Sequence, residues 1–164
     1  MPYDETLAAF RRGDNAEASR LAKLDLEEAV AGHDAEGQVQ SLCMFARVAL
    51  RDGRLGDVDA YARQARDVAL GASARRLERM PVHLMAVAAR MAGRYDESRS
   101  LYLESIRLSN ELGETVMAAV EHRNLAYVEL RAGDPDRAVA LFAEARSRLR
   151  GMDQPSLQPY LLFD

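Results

Sequence analysis

Apolar residues recur along this chain at helical spacing, interrupted at regular intervals by glycine. Before Gly53, Leu42, Phe45, Ala46, Ala49 and Leu50 follow an i, i+3, i+4, i+7, i+8 stripe. The same offsets give Val82, Met85, Ala86 and Ala89 before Gly93. Before Gly133 they give His122, Leu125, Ala126 and Leu130, with Glu129 as a departure. A second stripe follows each glycine: Ala18, Leu21 and Ala22 align with Val58, Tyr61 and Ala62, then Ser98, Leu101 and Tyr102, then Ala138, Leu141 and Phe142. No alternating β-branched run exists, so the pattern predicts helices and no strand.

Gly13, Gly53, Gly93 and Gly133 lie 40 residues apart, and Gly32, Gly71, Gly113 and Gly151 fall between them. A fixed period of this length marks a repeat array. Glycine closes helices because it takes the left-handed conformation without a Cβ penalty. Start signals follow several stops: Asp14 with Glu17, Ser73 after Gly71, and Asp134-Pro135 as N-cap and first helical residue. The punctuation predicts about four helix pairs, at about 1–32, 33–72, 73–113 and 114–151, within a single domain 1–164. In each pair helix A precedes the 40-spaced glycine and helix B follows it. The first A helix has room only for about Asp4 to Arg12, while the others, of about 18 residues, would be about 27 Å long. The tail 152–164, with Tyr160, Leu161, Leu162 and Phe163, is expected to form a short cap or to fill the groove.

These pairs resemble tetratricopeptide repeats. The resemblance rests on the helix A pairs Phe45-Ala46, Met85-Ala86 and Leu125-Ala126, on the turn glycines, and on Tyr95 just after one of them. It also rests on the helix B series Ser98, Tyr102, Ser105 and Ala138, Phe142, Ala145, and Asn124 to Ala145 is the best single match. The 40-residue period exceeds the family's usual one, as in the longer-helix variety of kinesin light chains and many bacterial regulators. No A helix opens on Trp, no proline closes a B helix, and Asp25 replaces an expected small residue. The resemblance implies an all-α, right-handed α-α superhelix: a solenoid of about four pairs whose A helices line the concave face.

Composition narrows the function. Of 164 residues, 48% are hydrophobic and 29% charged, too apolar for disorder. The formal charge of −4 speaks against general binding to nucleic acid. The first residues carry acids before any apolar run, unlike a signal peptide, and no apolar stretch is long enough to span a membrane. With one cysteine, Cys43, an internal disulfide is impossible, and a cytoplasmic setting fits best.

The offsets place Arg47, Arg51, His83, Arg90, Arg123, Asn124, Tyr127 and Arg131 on A helices, and so in the implied groove. The acids concentrate on B helices, among them Asp57, Asp59, Glu97, Glu104 and Glu144. A basic groove would hold an acidic peptide or a C-terminal carboxylate by bidentate arginine contacts. The competing reading pairs those arginines with Asp52, Glu121 or Glu129 on their own helices. Of the positions that a chaperone-type carboxylate clamp requires, only Asn124 matches. Cys43 and His83 share an offset in neighbouring repeats, but a metal site would want two further ligands, none at recognisable spacing, and a nucleophilic pair would want an orienting acid or amide and an oxyanion site, so a half-exposed cysteine and a groove histidine are expected. His122 reads as packed and His33 as a turn residue, while Met80 and Met91 could line a groove floor.

No phosphate-binding glycine cluster, nucleophile elbow or zinc motif occurs. The chain therefore reads as a non-enzymatic interaction module, without cofactor or metal, binding a protein or peptide segment on the concave face of its A helices. The alternative is an assembly element that homodimerises through its open ends. A regulatory ligand sensor or an enzyme stands behind both.

Overall fold

The computed structural model describes residues 2–150, so the expected tail cap and Gly151 lie outside the described residues. Helices α1 (Pro2–Arg11), α2 (Asn15–Ala31), α3 (Ala35–Arg51), α4 (Leu55–Gly71), α5 (Arg79–Met91), α6 (Tyr95–Glu111), α7 (Thr115–Ala132) and α8 (Pro135–Leu149) follow one another, with no strand among the described residues. Each packs on its successor, giving four antiparallel pairs. A helices also touch the next A helix, α1 on α3 and α3 on α5, which places them along the inner side of an all-α, right-handed superhelix. No described helix is long and apolar enough to cross a membrane.

The turns run on a shorter ruler than the 40-residue glycine spacing. Positive φ recurs at Gly13, His33, Gly53, Ser73, Gly93, Gly113 and Gly133, in steps of 20 residues. At each turn the next residue's N–H reaches back to the carbonyl of Ala9, Ala29, Ala49, Ala69, Ala89, Ser109 or Glu129, again 20 apart. Every helix-plus-turn is thus one 20-residue unit closed by the same long hydrogen bond. This corrects two expectations: Gly32 has φ −84° and Gly71 ends α4, so His33 and Ser73 take the left-handed positions. Ser73 is accordingly a turn residue rather than a cap.

A side chain in the left-handed region costs about 1 kcal/mol that glycine avoids. Ser73→Gly and His33→Gly should therefore each raise the unfolding free energy by about 1 kcal/mol, and Gly53→Ala should lower it by a similar amount. Urea denaturation at fixed pH measures this. A loss of stability in either glycine variant would contradict it.

Helix starts follow the residue chemistry. Asp14 accepts from Glu17 N at 3.0 Å, Asp34 from Glu36 N at 3.0 Å and Asp134 from Arg137 N at 3.0 Å, with Pro135 opening α8. Helix α5 has 13 residues rather than about 18, preceded by a 3₁₀ turn at Arg75–Leu77. The cause is Pro81, whose ring would clash with the Leu77 carbonyl if one helix continued through both. Starting at Arg79 puts the proline in the first turn, where it is tolerated.

The core forms where the stripes meet. Ala46, Ala86 and Ala126 are fully buried, as are Ala18, Val58 and Ser98, so neighbouring helices approach closely. The Ser98 hydroxyl is satisfied by the Ala86 carbonyl at 2.9 Å. Asp25, which replaces a small residue, is held by the buried Thr6 hydroxyl at 2.6 Å. Glu129 is 1% exposed at the register of Ala49 and Ala89, because Arg99 (2.8 Å) and Arg137 (3.2 Å) clasp its carboxylate. The Arg99 bonds lead in holding that carboxyl below its usual range.

Candidate binding groove

Helices α3, α5 and α7 present the concave face, and its polar centre is built around an acid. Glu121 of α7 is 1% exposed. His83 of α5 donates from Nδ1 to its carboxylate at 2.8 and 3.1 Å. The Ser105 hydroxyl of α6 donates at 2.9 Å and Asn124 Nδ2 at 3.3 Å. Burial opposes ionisation of Glu121, but His83, Asn124 and Ser105 together outweigh it and hold the carboxyl below its ordinary value. The result is a fixed negative centre linking three helices.

Tyr102 of α6 underlies this cluster, its ring edge-on to His83 with centroids 6.3 Å apart. It is fully buried. Burial pushes its hydroxyl up to about 12, although the Arg90 guanidinium beside it favours the phenolate. Arg90 does not complete a hydrogen bond of good geometry to that oxygen, and its own enclosed Nε has no hydrogen-bond partner.

The predicted groove residues divide into two sets. His83 and Asn124 meet at Glu121, and Arg90 and Arg123 both act on the Tyr102 hydroxyl. Arg47 is half-buried and donates weakly to Met80 Sδ at 3.5 Å. Others are engaged elsewhere. Arg51 lies over the Phe10 ring at 3.7 Å and donates to Phe10 O and Asn15 Oδ1, tying α3 to the first turn. Tyr127 packs edge-on against Phe142 with centroids 5.2 Å apart. Arg131 is exposed near the end of α7.

The same-helix pairing does not form at the three acids named for it. Asp52 takes Asn15 and Arg54, Glu121 takes His83, and Glu129 takes Arg99 and Arg137. The B-helix acids are matched by other arginines: Asp59 and Glu97 by Arg94, Glu104 by Arg66, Glu144 by Arg148. Arg47 and Arg90 remain with no carboxylate partner among the described residues.

Cys43 is buried rather than half-exposed, and its enclosure pushes the thiol up to about 12 despite Arg47 and Arg79 nearby. It is protonated at neutral pH and unsuited to nucleophilic chemistry. His122 is packed as expected, its Nδ1–H donating to the Ala118 carbonyl at 2.7 Å, and His33 lies in a turn. Met80 packs partly against the core, while Met91 is half-exposed. Glu121 is the residue that sequence reasoning missed in its true role; the signal for it was His83, 38 residues away and two short of a full period.

The tetratricopeptide repeat profile matches residues 76–151, and the 20-residue turn ruler extends the same architecture through the preceding pairs. Residues 76–151 thus match tetratricopeptide repeats. No curated protein sequence matches the chain. Among solved structures, this chain resembles a Rap protein complexed with competence and sporulation factor, with TM-score 0.80, 17% identity, and coverage of 93% of this chain and 43% of that one. BtubC (BKLC) from P. vanneervenii gives TM-score 0.70 and 22% identity, over 85% of this chain and 58% of that one. A kinesin-light-chain-like protein of Podosopora anserina, with nearly identical TPR-like repeats, gives TM-score 0.73 and 15% identity over 98% and 78%. The repeat chain thus spans less than half of the Rap protein and under two thirds of BtubC. At these identities the likeness concerns the fold alone.

Proposed function

We propose that this chain is a non-catalytic module that holds an acidic peptide or protein segment on the concave face of its A helices. One observation carries the reading: Arg47 and Arg90 rise from successive A helices, partly buried and without a carboxylate partner among the described residues, while the B-helix acids Asp59, Glu97, Glu104 and Glu144 already pair with other arginines. Half-buried guanidinium groups gain most from a carboxylate that arrives with its own geometry. His83, Asn124 and the fixed Glu121 beside them set polar spacing along the floor, so register as well as charge would select the segment. The Rap protein with this fold was crystallised in complex with a factor, which supports occupancy of such a scaffold.

Fluorescence anisotropy with an acidic peptide and its Gln-substituted counterpart tests the proposal. Arg47→Ala with Arg90→Ala should weaken the acidic peptide about 10- to 100-fold and leave the neutral one unchanged. Equal affinity of wild type and variant across a salt series would remove the basic-groove reading.

A further inference from the structure

The N-terminal end of the solenoid holds an acidic concavity. A cleft of about 520 Å³ lies between the start of α1, the C-terminal half of α2 and the first turns of α3. That volume is within the range of small-molecule sites. Asp4, Asp25, Glu28 and Asp34 line it, and no Lys, Arg or His does. The negative end of the α2 dipole adds to the same field, since Gly32 at its cap forms part of the wall.

The cleft is built rather than incidental. The buried Thr6 hydroxyl fixes Asp25 at 2.6 Å, and Asp34 is held by its cap bond to Glu36 N at 3.0 Å. Gly37 lets that carboxylate close in, because a Cβ there would meet Asp34 Oδ2 at 2.7 Å and Ala29 Cβ at 2.9 Å. Independently of the acids, Ser41 lines the wall, is 1% exposed, and has a hydroxyl without any hydrogen-bond partner. A buried hydroxyl is ordinarily paired.

No group of three or more His, Cys, Asp or Glu among the described residues is arranged to hold a metal ion. The carboxylates line the cleft without converging on a point, which suits positive charges spaced along a chain. We propose that this cleft binds a small linear polyammonium, its ammonium groups held by Asp25, Glu28 and Asp34 with the Ser41 hydroxyl as a further acceptor, and its alkyl chain against Ala29 and Tyr3.

Calorimetric titration of the full chain with spermidine tests this. Saturable one-site binding is expected, weakened about tenfold or more by Asp25→Asn and by Glu28→Lys. Glu28 is exposed, so the fold survives that change, and circular dichroism verifies it. Glu27→Lys, the same charge reversal on α2 outside the cleft lining, should leave the affinity unchanged. Weakening by Glu27→Lys equal to that by Glu28→Lys, or full competition by magnesium chloride at matched ionic strength, would reduce the effect to general screening and overturn the proposal. Binding of a lysine-containing tripeptide in place of spermidine would overturn it in favour of a peptide site.

Discussion

Replacing Glu121 with alanine should lower the unfolding free energy by about 3 kcal/mol, because the change removes one partner of a buried charged network. The acid is 1% exposed and accepts from His83, Ser105 and Asn124, so its loss strands donors on three helices. Glu121→Gln keeps most of the shape and should cost less, but it alters the response to acid. In the folded chain the Glu121 carboxyl titrates below its ordinary 4.5, His83 being the strongest of the groups that overcome its burial. It therefore binds protons more weakly than the unfolded chain does. Its contribution is complete above the unfolded value and is lost as the pH falls from there toward the folded one. Urea denaturation along a series from neutral pH to below that value should show the wild type losing more stability than Glu121→Gln. Parallel profiles would show that the network contributes nothing as an ion pair.

Tyr102→Ala should cost about 4 kcal/mol, the range of a buried aromatic truncated to a methyl group. The ring is fully enclosed between the helix pairs and supports His83 from below. Tyr102→Phe should change stability by less than about 1 kcal/mol, since the buried hydroxyl completes no good hydrogen bond that would be lost. The two variants together separate volume from polarity. A large loss in the phenylalanine variant would mean that the Arg90 contact to the hydroxyl is a strong bond after all.

The stripes and glycines made the helix order and the pairing legible, because burial at helical spacing is a local property, while the inner face was implied only by the family resemblance. Three features escaped for identifiable reasons. His33 and Ser73 occupy left-handed turns that residue type disfavours, and the fixed 20-residue spacing imposes the conformation on them. Glu129 looks like a break in the apolar stripe and Glu121 like a same-helix partner for arginine, because the groups that hold them, Arg99 and His83, lie 30 and 38 residues away. Arg51 and Tyr127 stand on the expected helices but are captured by Phe10 and Phe142. The short α5 was legible in principle, since Pro81 forbids a continuous helix through Leu77 on steric grounds alone.

The clasps between helix pairs bear on how the chain reaches this structure. His83 to Glu121, Arg66 to Glu104, Arg76 to Glu36 and Arg51 to Phe10 join residues between 38 and 41 apart, about one repeat, with the first two at 38. Such contacts close only short loops, whose entropy cost is small, and none requires distant segments to find each other first. Structure can begin at any pair and propagate to its neighbour in either direction, with each new clasp secured as soon as the adjoining twenty-residue units are in place.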